Sequence, residues 1–180
     1  RGKQFEVLCK WMLETDPRFS AKLEKIWLWE EWPERWGRDC GIDLVAKDTE
    51  GKTWAIQAKC YDSQYSVTKH DVDSFLSEST NEKIQHRLLI ATTDRLGSNA
   101  VSVIERQHSM IPVHKMMLTD LLESPVNWPT SIDDLTSGGV KKAFSPKPHQ
   151  RTAIDKVVNS LESRGQLIMA CGTGKTLTAM

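Results

Sequence analysis

The sequence predicts an α/β layer domain over residues 1–124 and the opening of a second α/β unit over residues 149–180. Three observations carry this. Apolar residues first recur at helical spacing and then gather into short strand-like runs. Two of those runs flank a glycine-containing turn. Near the end, an apolar run meets the glycine-rich stretch ACGTGKT, residues 170–176.

Taken in order, Phe5, Leu8, Cys9, Met12 and Leu13 form a helical stripe over residues 3–14. Glu6, Lys10 and Glu14 fall at i, i+4 spacing on another face. KIWLW, residues 25–29, is aromatic and apolar and reads as a strand. A loop with Pro33, Gly37 and Gly41 follows. The runs 42–46 and 53–58, separated by a turn at 48–51, predict a β-hairpin. Thr68 is the expected N-cap of a helix over 69–79, with Asp71 three residues on and Val72, Phe75 and Leu76 on one face. Residues 88–91 read as a buried strand. Ser98 is the expected cap of a helix to about Gln107, with a last strand at 112–116 and a short helix at 119–123.

Residues 125–148 change character. Pro125, Pro129, Gly138, Gly139, Pro146 and Pro148 stand among polar residues, the composition of a linker. Beyond it, Ala153, Ile154, Val157, Val158 and Leu161 form a helical stripe, and residues 166–170 read as a strand.

Composition bounds the function. The 180 residues are 39% hydrophobic and 27% charged, enough apolar material for one sizeable core. With 24 basic and 24 acidic residues, total charge offers no support for a nucleic-acid partner, although a local basic groove is compatible with it. Cys9, Cys40, Cys60 and Cys171 are scattered and form no CxxC pair. Zinc-ligand spacing and a disulfide framework are therefore not expected, and a reducing cytosolic setting is. No signal peptide or membrane-spanning run is present in the sequence. A start at Arg1 and an end at Met180, within an expected helix, suggest a segment of a longer protein.

Two constellations carry chemistry. In the hairpin, Asp43 begins one strand while Gln57 and Lys59 lie two apart on the next, so the latter two share a face. An acid, a second oxygen donor and a lysine suit phosphodiester hydrolysis assisted by Mg2+, a hard ion that takes oxygen ligands. Lysine there orients water or stabilises developing negative charge. The same three residue types are also common on ordinary hairpin surfaces. In the second constellation, glycines let backbone amides curl around phosphates, Lys175 reaches the terminal phosphates, and Thr176 holds Mg2+. Met169 stands where the strict loop pattern has glycine.

GKQFEVLCKWML, GIDLVAKDTEGKTWAIQAKCYD, VTKHDVDSFL and LLIATTDR together resemble the Mrr-like branch of the PD-(D/E)xK nucleases over roughly residues 2–120. That resemblance implies a restriction-endonuclease-like core, a central mixed sheet flanked by helices. In that branch glutamine often replaces the second acid, and Asp43, Gln57 and Lys59 are the matching residues. It implies that Asp43 is the principal metal ligand, that Gln57 and the Ala58 carbonyl assist, and that Lys59 serves the water or the transition state. Glu6 matches an acidic residue of the family's first helix; the alternative is a solvated helix face. Tyr61, Ser66, Thr68 and Lys69 are candidates for phosphate contact or simply a polar loop. Trp27, Trp29, Trp32 and Trp36 suit packing more than base stacking, and His70 suits an exposed helix start.

LIMACGTGKT resembles the superfamily 2 helicase phosphate loop, in which the first glycine is commonly absent. PHQRTAIDKV resembles the segment in which a glutamine, here Gln150, recognises adenine. Nucleotide contacts are thus expected from Gln150, Gly172, Thr173, Gly174, Lys175 and Thr176, followed by the first strand, phosphate loop and helix of a RecA-like motor. The combination is similar to single-polypeptide type ISP restriction–modification enzymes. It implies a Mg2+-dependent endodeoxyribonuclease, with Mn2+ able to substitute, acting on double-stranded DNA. The same resemblance implies ATP use by a longer parent with motor, methyltransferase and target-recognition domains, and a second copy for double-strand cleavage. The alternative is a non-cleaving DNA-binding or structural domain of the same fold.

Overall fold

The computed structural model describes residues 2–37 and 41–135, together with Pro148, Arg151, Thr152 and Asp155. The chain divides into two units, residues 1–141 and 142–180. Gln150 and the phosphate-loop residues Gly172, Thr173, Gly174, Lys175 and Thr176 lie outside the described residues.

The first unit is a five-stranded mixed sheet in the order β1-β2-β3-β4-β5. Its strands are β1 (Leu23–Leu28), β2 (Leu44–Asp48), β3 (Thr53–Lys59), β4 (His86–Ala91) and β5 (Val113–Met116). β1, β2 and β3 pair antiparallel, while β3, β4 and β5 pair parallel. Parallel neighbours need crossovers, and two helices supply them: α3 (Lys69–Glu78) between β3 and β4, and α4 (Ser98–Glu105) between β4 and β5. The N-terminal helix α1 (Gly2–Thr15), the short α2 (Pro17–Ser20) and α5 (Leu118–Leu122) complete the set.

Side-chain alternation divides the core into two layers. Leu44, Ala46, Trp54, Ile56, Leu88 and Ile90 face α1, meeting Phe5, Cys9, Met12 and Leu13. Val45, Ala55, Leu89 and Ala91 face the other way, meeting Val72, Phe75 and Leu76 of α3 and Ile104 of α4. The expected hairpin forms with Leu44 opposite Ile56 and Ala46 opposite Trp54. Its turn is fixed by Asp48, whose Oδ1 accepts from the Glu50 and Lys52 amides at 3.0 and 2.9 Å. Gly51 supplies the positive φ the turn requires.

Four details differ from the sequence reading. Trp29 leaves β1 and starts a single 3-10 turn, where it is buried against Trp32 and Trp36. Lys10 does not bridge Glu6 and Glu14; it reaches across to Glu31 at 2.6 Å. Gly97, not Ser98, occupies the N-cap of α4 and makes no side-chain cap bond. Within the stretch read as linker, Val126 is fully buried in the α1-side core and Trp128 packs on Trp11 with ring centroids 5.9 Å apart. The chain is held there by the Ser124 hydroxyl, which donates to the buried Asp16 carboxylate at 2.8 Å. No described helix is long and apolar enough to cross a membrane.

Candidate active site

The candidate site lies where β2 begins and β3 ends, the carboxyl end of the parallel strands, a place at which α/β sheets commonly receive ligands. Backbone hydrogen bonding explains its shape. The Asp43 amide donates to the Ile56 carbonyl at 2.9 Å, and the Trp29 amide donates to the Asp43 carbonyl at 2.8 Å. Asp43, just before β2, is thus bound to β3 on one side and to Trp29, just past β1, on the other. Upstream, Gly41 turns the chain away with φ +71°. A Cβ on Gly41 would stand 2.9 Å from the Ser74 Cβ and 3.0 Å from the Phe75 nitrogen, so only glycine fits against α3.

That departure leaves the Ala58 amide without a strand partner, and the Asp43 carboxylate replaces it: the amide donates to Oδ2 at 2.7 Å. The Lys59 carbonyl accepts from the Thr92 amide and so faces β4. Successive carbonyls of a strand point to opposite edges, so the Ala58 carbonyl faces the Asp43 side.

Gln57 is 1% exposed. Its Nε2 donates to the Gly41 carbonyl at 3.0 Å, while its Oε1 is buried with no hydrogen-bond partner. A buried amide oxygen without a donor is costly, on the order of 1–3 kcal/mol, unless something outside the protein binds it. Lys59, half-buried, ends β3 on the same face as Gln57. Direct hydrogen bonds thus join Ala58 to Asp43 and Gln57 to Gly41 around one strand end, and Lys59 ends the same strand on the face of Gln57; among the described residues no bond links the Lys59 amine to Asp43, Gln57 or Ala58.

Glu6 is half-buried on α1. Its charge and that of Asp43 act on the same two neighbours. Both raise the Lys3 ammonium, after its bond to Glu30, and both add to the upward push that burial gives the Cys9 thiol. Glu6 and Asp43 thus share Lys3 and Cys9 as neighbours. Among the described residues no three His, Cys, Asp or Glu side chains cluster as metal ligands. A site built from one carboxylate, one amide oxygen and one backbone carbonyl is of a different kind, and its oxygen donors suit a hard divalent cation such as Mg2+.

Among the remaining candidates, Ser66, Thr68, Lys69 and His70 are exposed, and Lys69 pairs with Asp73 at 2.7 Å. Trp29, Trp32 and Trp36 pack together, and Trp36 donates to Glu78 at 3.1 Å, so they serve the core. Trp27 packs half-buried against the same cluster. Tyr61 follows β3, and burial, then its bond to Asp71, push its hydroxyl pKa well up. Sequence reasoning passed over the Gly41 carbonyl, although a glycine two residues before the acid was its signal. A cavity of about 340 Å³ opens toward the other end of the sheet, lined by Trp54, Lys22, His114 and Lys115; no candidate site residue lines it.

Comparison with known proteins agrees with this architecture. Residues 14–136, more than half of the chain, match a restriction endonuclease family, Mrr_cat_2. Residues 143–180 match the family described as the type III restriction enzyme res subunit. No match was found among curated proteins. Among solved structures, the ATP-dependent type ISP restriction–modification enzyme LlaBIII bound to DNA is 34% identical with a TM-score of 0.73. The likeness covers 97% of this chain and 11% of that one. Weaker likenesses are the DNA modification-dependent restriction endonuclease AspBHI (17% identity, TM-score 0.45, 66% of this chain and 29% of that one) and MspJI in complex with a 27-mer oligonucleotide (18%, 0.47, 76% and 32%). The mixed sheet, the family match along most of it and the LlaBIII likeness across nearly the whole chain agree, and the chain belongs to the Mrr_cat_2 restriction endonuclease family, with a helicase-type res-subunit segment at residues 143–180.

Proposed function

We propose that this chain is the metal-dependent DNA-cleaving part of an ATP-driven translocating restriction enzyme, hydrolysing phosphodiester bonds of double-stranded DNA one strand at a time. The buried, unpartnered Oε1 of Gln57, on the residue next to the Ala58 amide that binds the Asp43 carboxylate, carries the reading. Asp43, Gln57 and the Ala58 carbonyl would hold Mg2+ or Mn2+, with Glu6 joining the site from α1. When bound, the ion supplies neutralisation of phosphate charge and a more acidic water.

The chain's own residues do the rest. Asp43 is held by the Ala58 amide, so its carboxylate is positioned before any ion binds. Gln57 is fixed through its nitrogen by Gly41, which leaves its buried oxygen as the free acceptor. Lys59 brings a positive charge to the same strand end, suited to orienting water or offsetting the charge that develops on the phosphate. Because Gln57 is neutral where a second carboxylate would bind more strongly, metal affinity is modest.

The reading extends to the parent. Gln150, Gly172, Thr173, Gly174, Lys175 and Thr176 would contact ATP in a motor beginning near residue 149, joined by a linker ending near 148. Methyltransferase and target-recognition domains and a second enzyme copy would act beside it, in the cytoplasm.

The test is nicking of supercoiled plasmid in protein excess with Mg2+ or Mn2+, with Asp43→Ala and Lys59→Ala alongside. Metal-dependent nicking lost in both variants supports the reading. A folded wild-type protein that binds duplex DNA but never nicks it, alone or within the ATP-driven parent, supports the alternative, a non-cleaving DNA-binding domain.

A further inference from the structure

The loop that leaves the candidate site, residues 60–68, is bound along its length to the far end of β4. The Thr92 hydroxyl pairs with the Tyr61 main chain at 2.7 Å. The Thr93 hydroxyl donates to the Ser63 and Tyr65 carbonyls, at 3.1 and 2.7 Å. The Val67 amide donates to the Arg95 carbonyl, and the Gly97 amide to the Val67 carbonyl, each at 2.9 Å. A surface loop held this way is rigid before any ligand arrives.

One side chain organises its outer face. Asp71 accepts from the Thr68 amide and hydroxyl at 2.7 and 2.8 Å, as the cap of α3 requires. It also accepts from two phenols upstream: Tyr61 at 2.8 Å on Oδ1 and Tyr65 at 3.1 Å on Oδ2. Burial alone would raise the Asp71 pKa, yet these four donors lower it, so it is a carboxylate at neutral pH. A cap needs only Thr68; the tyrosine bonds are additional. They bring the two rings to 4.3 Å between centroids. Tyr65 is 39% exposed. Tyr61 follows Lys59, the last residue of β3, by two positions, so the ring pair stands on the loop that leaves the strand end carrying the candidate site.

We infer that Asp71 is a positioning residue that holds Tyr61 and Tyr65 as an aromatic wall against which the DNA strand to be cut is seated. This rests on the nuclease reading. Both phenol protons are committed to Asp71, so the wall does not donate to phosphate; it presents ring edges and faces to sugars and bases. Lys59 and the metal-holding groups are left to deal with the phosphate.

The experiment measures kcat and KM for plasmid nicking, and duplex binding by anisotropy with Ca2+ in place of Mg2+. It compares wild type, Tyr65→Ala, Tyr65→Phe, Asp71→Ala and Asp71→Asn, with thermal melting to confirm folding. Tyr65→Ala and Asp71→Ala are expected to raise both KM and the duplex Kd about tenfold, with kcat within about threefold. Tyr65→Phe keeps the ring and stays near wild type, and Asp71→Asn, which keeps one acceptor, falls between. A folded Asp71→Ala protein with unchanged KM and Kd overturns the inference, as does a fall in kcat alone. Wild type that never cleaves overturns the nuclease reading instead, and the anisotropy series then still decides whether the wall binds DNA.

Discussion

The Ala58 amide donates to the Asp43 carboxylate over 2.7 Å, so one side chain both closes a gap in the sheet and faces the candidate metal site. The two roles separate by substitution. Asp43→Asn keeps an acceptor for the amide and loses the charge. Asp43→Ala leaves the amide unpaired, which costs about 1–3 kcal/mol. Nicking is expected to vanish in both, while chemical denaturation shows Asn close to wild type and Ala clearly weaker. Equal stability of the two variants would remove the structural half of this assignment.

Gln57→Glu tests the other oxygen. Without cation the variant melts below wild type, because a carboxylate is buried and turned toward the Gly41 carbonyl that now receives a donor. With Mg2+ or Mn2+ the order of response reverses: the variant gains more in melting temperature and binds the ion about tenfold more tightly by titration calorimetry, since ligand charge sets affinity for hard cations. An identical metal response in the two proteins would take Oε1 out of the metal shell.

Much of this site was legible because strand alternation is simple. Gln57 and Lys59 could be put on one face from spacing alone, with Asp43 brought near them by the hairpin, and Thr68 with Asp71 could be read as a helix start. What the sequence hid has a common cause: partners distant in the chain. Nothing near Gln57 says that its nitrogen is bound by Gly41 and its oxygen left bare, since that follows from the φ of Gly41 and the packing of α3 above it. Asp71 reads as a cap, and only the folded loop reveals that Tyr61 and Tyr65 turn back onto it. Trp11 falls outside the helical stripe of α1, yet it is buried because Trp128 returns to cover it.

Asp16 and Asp48 set the acid limb of stability. Burial pushes each upward, but the Arg18 and Ser124 bonds outweigh it at Asp16, and the Trp54, Lys52 and Glu50 donors, helped by His86, outweigh it at Asp48. Both carboxyls therefore titrate lower when folded than when unfolded. Their stabilisation is fully present above the unfolded value of about 3.9 and is lost as pH falls through the lower folded value. Denaturation followed from pH 7 to pH 2 is expected to show this loss in wild type and a flatter acid limb in Asp48→Asn, which starts from lower stability at pH 7. A parallel acid limb in the variant would show that Asp48 is not one of the groups responsible.

Where the nuclease fold ends is a question of burial rather than composition. Proline and polar residues from Pro125 onward look like a linker, but Val126 has no exposed surface and Trp128 covers Trp11. Ser124 is buried as well, donating to an Asp16 carboxylate that also binds Arg18 at 2.6 Å. A chain cut after residue 124 loses the valine and the tryptophan together and opens the outer side of α1 to water. Removing these two apolar side chains from such sites costs about 3–6 kcal/mol, a large fraction of a small domain's stability. Thermal melting of chains ending at 124 and at 136 is therefore expected to differ by roughly 10 °C or more. The shorter chain would also lose metal response first, because α1 carries Glu6 and covers β2, which Asp43 precedes, and β3, which bears Ala58. If the two chains melt together, the tail is a passenger on the sheet, and the nuclease fold ends where its composition changes.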